Sequence, residues 1–445
     1  MNLPIVCIAK AVRTIGFGAL SVVLALYLME KGFSPAEVGI LFSLTLLEDA
    51  LVATLASVLA GRIGMRVVLL LSSLAILLGG FAIAFAPVKW MLALAVIFGV
   101  ISPAGYEGGP FAAIEQAIIS QSVKHEKLTS AFCWYNLVGF GGAALGALLA
   151  GGCVALMRAQ PVVLAYQSIF VFYAVSAFIL AILYLTIDIA EKPRIKSAYG
   201  AGSNSAALNS APPPVMVSPQ IKQRNSGNSQ SGKNIRNLAF LQGIDAFGGG
   251  FVVQSLLTCW FYQRYHVDAT FLGPVFFGCN VIAALSFFFA PAVVKRIGLL
   301  NAMVFTHLPC SLALCAMPFL PTASWAAGLL LLRSAFSSMD IPARQAYTML
   351  IVAEEDRPAA AGFITSARAV AQGIAPCLTG FLMNNAVTGL PLILAGALKS
   401  VYDVSLYHAF KHVPFHHEQK ADAPRVGSPP DDFASLESRK PELVR

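Results

Sequence analysis

The stretch Val67–Ala86, VVLLLSSLAILLGGFAIAFA, runs without a charged residue and follows the basic loop Gly61-Arg62-Ile63-Gly64-Met65-Arg66. About 20 mainly apolar residues, at about 1.5 Å of rise each, cover the roughly 30 Å hydrocarbon core of a bilayer. Working outward, similar segments lie at 5–29, 37–60, 90–119, 129–152, 164–187, 238–262, 270–292, 299–319, 324–351, 359–382 and 388–410. Lipid offers no hydrogen bonds, so each segment must close its own backbone bonds as a helix. The chain therefore reads as an all-α polytopic membrane protein with twelve transmembrane helices. Composition agrees: 57% of its 445 residues are hydrophobic and 12% charged, where soluble domains carry about 25% charge. The net charge of +8 is spread over short loops, which does not suggest a nucleic-acid partner. Eight cysteines stand singly with no CxxC spacing, so neither a disulfide framework nor a zinc site is indicated. The first apolar stretch is too long for a cleavable leader.

Basic residues sort the loops. Arg62, Arg66, Lys124, Lys127, Lys192, Lys295, Arg296 and Arg357 fall on one side, against Lys31, Lys89, Arg158 and Arg264 on the other. The positive-inside bias predicts a multi-pass protein of the plasma or inner membrane with both termini in the cytoplasm. Residues 188–237 are rich in Ser, Asn, Gly, Pro and Lys, a composition unable to bury enough apolar surface to fold. The expected organisation is an N-terminal six-helix half (1–187), a disordered cytoplasmic linker (188–237), a C-terminal six-helix half (238–413) and a disordered tail (414–445).

The two halves repeat. A shift of 234 residues lays Gly39 on Gly273, Tyr27 on Phe261, and Arg62-Ile63-Gly64 on Arg296-Ile297-Gly298. Shifts of 230–232 match Pro110 to Pro342 and Lys127 to Arg357, and small-residue runs 139–151 and 369–380 coincide. Parallel repeats of this kind place a substrate site between halves. Two pseudo-symmetric six-helix halves, a polar linker and a basic loop after spans 2 and 8 (Arg62, Gly64, Arg66; Arg296, Gly298) resemble the major facilitator superfamily. Residues 333–348, RSAFSSMDIPARQAYT, look like the tenth helix of bacterial and archaeal members. The signature loop of the family has an Asp before its Arg, where this chain has Gly61 and Lys295. The chain is loosely similar to drug–proton antiporters, although the Gly-Pro pair they favour in helix 5 is Gly142-Ala143 here. The resemblance implies that spans 1, 4, 7 and 10 line a central cavity and that spans 3, 6 and 9 face lipid.

Charge inside a bilayer costs a few kcal/mol per group and is usually buried within the bundle. The spans hold the acids Glu48, Asp49, Glu107, Glu115, Asp245, Asp340 and Asp403, and the bases Lys10, Arg13, Arg333, Arg344, Arg368 and Lys399. Spans 1, 4, 7 and 10 all carry charges; spans 3, 6 and 9 carry none of these. Glu48, Asp49 and Glu107 are the proton-coupling candidates, because a desolvated carboxylate can load and release a proton near neutral pH. Glu48 or Asp49 could instead pair structurally with Arg333 or Arg13. Arg13 and Asp245 could form a gate between the halves, or each could pair within its own half. Asp340 and Arg344 are four residues apart and can pair on one helix face, as a gate or anchor. Arg368 meets either an anionic substrate or an acid. Lys399 and Asp403 have the same spacing on span 12, a peripheral helix in the family, which points to a structural pair. Phe17, Tyr106, Gln254, Trp260, Arg333 and Phe336 are the substrate-cavity candidates, with packing as the alternative use of the aromatics.

Two further patterns carry less. Gly227-Asn-Ser-Gln-Ser-Gly-Lys233-Asn234 nearly spells a phosphate loop but lacks the final Ser or Thr. His408, His412, His416 and His417 cluster after span 12 and could bind metal, sense pH or simply be solvated. No HExxH or GxSxG motif lies in the spans, so an enzyme is not expected, nor any cofactor. The expected activity is secondary active transport of a small organic solute by alternating access in a monomer. It is read as proton-coupled, with efflux antiport ahead of uptake symport. A non-transporting receptor or scramblase on the same scaffold is the alternative.

Overall fold

A computed structural model describes residues 2–105, 110–123, 127–187, 230–352, 357–385 and 388–411. The first half is built from α1 (Asn2–Glu30), α2 (Pro35–Ile63), α3 (Met65–Phe85), α4 (Lys89–Phe98), α5 (Phe111–Ser122), α6 (Leu128–Leu156) and α7 (Val162–Thr186). The second half comprises α8 (Gln230–Gly250), α9 (Gln254–Tyr265), α10 (Ala269–Ile297), α11 (Leu299–Ala316), α12 (Ala323–Ser337), α13 (Asp340–Ile351), α14 (Arg357–Asn384) and α15 (Leu390–Phe410). Three expected spans are each made of two helices: α4 with α5, α8 with α9, and α12 with α13. The result is twelve membrane passes in two six-pass halves. Helix α8 starts at Gln230, ahead of the linker boundary expected at 237, so the linker's last residues are helical.

Among the described residues, eight helices are long and apolar enough to cross a membrane on their own, and α8 with α9 adds a pass bent by 41°. The other passes fail that test for physical reasons. In the fourth, α4 ends at Phe98 and α5 begins at Phe111, and Pro103 and a positive φ at Gly105 do not suit a continuous helix. The tenth breaks at Ser338–Met339. Helix α14 is continuous but carries Arg357, Arg368 and Gln372. Unwound backbone at membrane depth is tolerated only where it is buried in protein or lines a cavity. Helix α1 is the most enclosed, buried almost continuously from Gly16 to Leu28.

The exterior carries a belt of exposed Leu, Ile and Phe, including Leu78 and Phe85 on α3, Phe178 and Ile182 on α7, and Phe288 on α10. Such a surface belongs against lipid rather than water. Turns between passes are capped by polar residues. Ser34 and Glu37 form a reciprocal capping box at the start of α2, and Lys89 Nζ lies 2.8 Å from Glu37 Oε1. The repeated Arg-Ile-Gly loops end α2 and α10 alike: Gly64 has φ 97°, ψ 146°, and Gly298 has φ 82°, ψ 164°. That region of backbone space is essentially restricted to glycine. Arg66 Nη2 donates to the Ile187 carbonyl, which ties α3 to the end of α7; Arg62 and Arg296 are exposed.

Candidate functional site

Because successive passes alternate in direction, α1 begins and α15 ends on one side of the bundle, here called the terminal side; the other is the distal side. The closest cross-half contacts lie toward the distal side. Helix α2 crosses α14 with Gly39 against Gly380, and α6 crosses α10 with Gly151 against Gly273. A Cβ placed on Gly39 would stand 2.8 Å from Gly380 Cα, and one on Gly273 2.8 Å from Gly151 Cα. Gly39 and Gly273 are the two positions that the sequence repeat superimposes. Near the α2–α14 crossing the Cys377 amide donates to Ser43 Oγ at 2.7 Å. Helix α1 meets α9 where Gln254 Nε2 donates to Ser21 Oγ at 2.7 Å and Ser255 Oγ donates to the Ser21 carbonyl at 3.0 Å. The Ser255 amide also takes the carbonyl of Pro103 at 3.0 Å, so the broken seventh pass supplies a partner to the broken fourth.

Below this seal, between the halves, lies a cavity of about 270 Å³. The first half contributes Ala104 and Phe140; the second contributes most of the wall, including Gln254, Asn280, Arg333, Arg344, Arg368 and Lys399. Asp245 of α8 is the centre of a buried network in that wall. Its Oδ1 is 2.6 Å from Lys399 Nζ, and its Oδ2 is 2.8 Å from Arg344 Nη1 and 3.1 Å from Arg368 Nη1. His307 of α11 stands between two acids, with Nε2 3.6 Å from Asp245 Oδ1 and Nδ1 2.9 and 3.0 Å from the two oxygens of Asp403. Asp340 Oδ2 lies 3.3 Å from Arg344 Nη1. Five helices (α8, α11, α13, α14 and α15) thus converge on one charge cluster. The arrangement satisfies Asp245 several times over, which is what a buried carboxylate needs.

The first half holds a second cluster of opposite polarity. Arg13 of α1 meets Glu115 of α5 through two bonds of 2.6 and 2.7 Å, the paired geometry that favours Arg over Lys. Glu115 also accepts from Tyr135 and Tyr184, each at 2.6 Å. The Arg13 guanidinium lies 4.4 Å from the centre of the Phe111 ring, and Lys10 Nζ lies 4.5 Å from that of Tyr135. Here the first helix supplies the cation and the fourth pass the anion; in the second half the roles are exchanged.

Several expectations change at this point. Arg13 and Asp245 do not pair: each is held by partners of its own half. Lys399 and Asp403 do not pair with each other; Lys399 turns to Asp245 and Asp403 to His307, so α15 is part of the cluster rather than peripheral to it. Asp340 and Arg344 line the cavity as well as standing near each other. Glu48 and Asp49 are not among the cavity-lining residues. Asp49 is buried and engaged, while Glu48 keeps one buried carboxylate oxygen without a hydrogen-bond partner. Neither takes Arg13 as its partner, since Arg13 is committed to Glu115. Of the cavity candidates, Gln254 and Arg333 line the space. Phe17 is core packing, 5.9 Å from Tyr173 between ring centres. Trp260 is fully buried between Phe261 and Tyr265. Phe336 is 38% exposed and does not line the cavity. Tyr106 and Glu107 lie outside the described residues, as do most of the linker and His412, His416 and His417. His408 is exposed, its Nδ1 2.9 Å from the Val404 carbonyl. The sequence inventory of charges overlooked His307. An imidazole inside an otherwise apolar span was the signal that could have found it.

Known proteins share this architecture. A nucleoside transporter, NupG, superposes with a TM-score of 0.67 at 13% identity, covering 93% of this chain and 100% of that one. A bacterial homolog of the human lysosomal transporter Spinster, in an inward-facing and occupied conformation, gives 0.66 at 14% identity over 93% and 96%. An uncharacterized membrane protein of Saccharomyces cerevisiae, YJR124C, is 26% identical over 408 residues, 88% of this chain and 90% of that protein. The sequence also matches the Major Facilitator Superfamily over residues 6–376 and 238–441. With twelve passes in two halves around a polar cavity, the chain belongs to the major facilitator superfamily.

Proposed function

We propose that this protein is a secondary active transporter that moves a small organic solute by alternating access and couples the movement to protons. One observation carries this reading: a cavity between the two halves, walled by a five-helix charge cluster, with close helix crossings on its distal side. A scaffold without transport gains nothing from desolvating so many ionisable groups at mid-membrane, where each costs a few kcal/mol. The excess of Lys and Arg in the terminal-side loops supports a cytoplasmic terminal side, and the close distal crossings then support an inward-facing reading.

Coupling is assigned to His307. Each of its nitrogens faces a carboxylate, so a proton gained or lost there changes how firmly Asp245 holds Arg344, Arg368 and Lys399. Those three bases line the cavity, and through them the proton is felt by the solute. Glu48, with an unbonded carboxylate oxygen in the protein interior, is the second coupling candidate.

The test is counterflow in proteoliposomes: vesicles preloaded with unlabelled solute take up labelled solute transiently if a carrier exchanges it. Saturable counterflow that is abolished by Asp245→Asn is expected. Non-saturable leak of solute, unchanged by that substitution, would point to a passive scaffold.

A further inference from the structure

We infer that the transported solute is a small organic anion and that Arg333 holds its acidic group. This rests on the carrier reading above and deepens it to a substrate class. The cavity wall and its network hold four permanent cations, Arg333, Arg344, Arg368 and Lys399. Against them stand three carboxylates among the described residues, Asp245, Asp340 and Asp403. The carboxylates are all spoken for: Asp245 by Lys399, Arg344 and Arg368, Asp340 by Arg344, and Asp403 by His307. Arg333 is the cation left over. Among the described residues no carboxylate comes within ion-pair distance of it, and its Nε is buried without a hydrogen-bond partner. Its backbone carbonyl accepts from Cys310 Sγ at 3.4 Å.

A buried guanidinium nitrogen without a partner is costly, and a buried ion that loses its partner is destabilised by several kcal/mol in other settings. A group kept in that condition beside a cavity is best explained by a partner that comes and goes. The guanidinium presents a planar fork that matches a carboxylate or a phosphate oxygen pair. Arg333 sits on α12 one residue before Ser334 and near the break between α12 and α13, where Ser337 and Ser338 also face the cavity. Asn280 and Gln254 add amides, while Phe140 and Leu330 add apolar wall. That mixture suits a compact anion with polar substituents. The volume, just below the range of about 300–1,000 Å³ usual for ligand pockets, does not suit a lipid.

The experiment uses full-length protein in proteoliposomes and three matched sets of labelled probes. They are mono- and dicarboxylates with a sugar phosphate, their neutral amides and alcohols, and organic amines. Wild type, Arg333→Gln and Arg333→Lys are compared by KM and kcat, with size-exclusion profiles confirming that each variant is folded. Saturable flux of a carboxylate or phosphate is expected, with neutral analogues inert. Arg333→Gln should raise KM for the anion by about tenfold to hundredfold, and Arg333→Lys should recover part of the loss because it restores charge without the fork. Flux of neutral or cationic probes with the same KM in Arg333→Gln would overturn the anion assignment and leave the carrier standing. Anion flux untouched by Arg333→Gln would overturn the role of Arg333. No saturable flux of any probe would overturn both the substrate class and the carrier reading beneath it.

Discussion

Replacing Gly39 with alanine adds one methyl group at a helix crossing that has no room for it. The new Cβ would stand 2.8 Å from Gly380 Cα and 2.9 Å from Gly380 N, whereas carbon atoms settle at about 3.5–4.0 Å. The obstacle is backbone, so no side chain can rotate away, and α2 and α14 must separate by something near 1 Å. Overpacking of that kind costs roughly 1–3 kcal/mol. In a carrier that alternates, the crossing exists only when the distal side is closed, so the penalty falls on one state. A bias of about 1–3 kcal/mol moves the balance between states by roughly 5- to 150-fold. Cys259 reports that balance. It is buried on α9 with its Sγ 3.5 Å from Met29 Sδ, at the distal α1–α9 contact. An impermeant maleimide added to the distal side should label Cys259 in Gly39→Ala faster by a factor in that range, with Cys259→Ser as the blank. Gly273→Ala meets Gly151 Cα at 2.8 Å and Ala147 O at 2.7 Å and should act in the same direction. Wild-type labelling in both variants, at unchanged flux, would refute the idea that these glycines form the closing contact.

Other expectations follow from the same contacts. Asp245→Asn removes the anion shared by Lys399, Arg344 and Arg368, and thermal unfolding followed by size exclusion should register a loss of about 3–5 kcal/mol. Arg13→Met should destabilise by a similar amount because it takes from buried Glu115 its paired guanidinium and leaves two tyrosine hydroxyls as its hydrogen-bond donors, and the double variant Arg13→Met, Glu115→Gln should recover much of it in the same assay. Gly298→Ala forces a side chain into a glycine-only backbone region and should cost about 1–3 kcal/mol, lowering Tm without changing KM. Ser34→Ala removes half of the capping box at α2, and a loss of about 1 kcal/mol is expected in that Tm measurement.

Hydropathy made the fold legible because lipid leaves the backbone no alternative to helix, and each pass could be drawn from its own residues. The repeat was legible too, and Gly39 and Gly273 turn out to occupy equivalent crossings in the distal seal. Pairing was not legible. Asp403 lies four residues from Lys399, which invites a local pair, yet the packing of α15 against α8 and α11 sends the two side chains to different partners. Sequence spacing cannot register that choice, because it depends on which helices meet. His307 was missed for a different reason: a neutral imidazole adds nothing to a count of charges, although its place in an apolar helix raises the same question of cost. Phe336 and Trp260 were assigned to the cavity by belonging to cavity helices, but a helix has several faces and theirs turn elsewhere. The break after Gly99 was foreshadowed by Pro103 and Gly105, whereas the one at Ser338–Met339 has no residue of that kind at the break itself.

On this reading, movement of solute and proton is coupled at the cavity beside Asp245. The most direct measurement is the internal pH of proteoliposomes containing a trapped dye, followed after addition of carboxylate, sugar phosphate or neutral probes to wild type, His307→Gln and Glu48→Gln. Wild type should show solute-dependent proton movement, His307→Gln should lose it, and solute exchange should persist in that variant. Solute flux with no change of internal pH in wild type, or proton movement that survives His307→Gln unchanged, would contradict it.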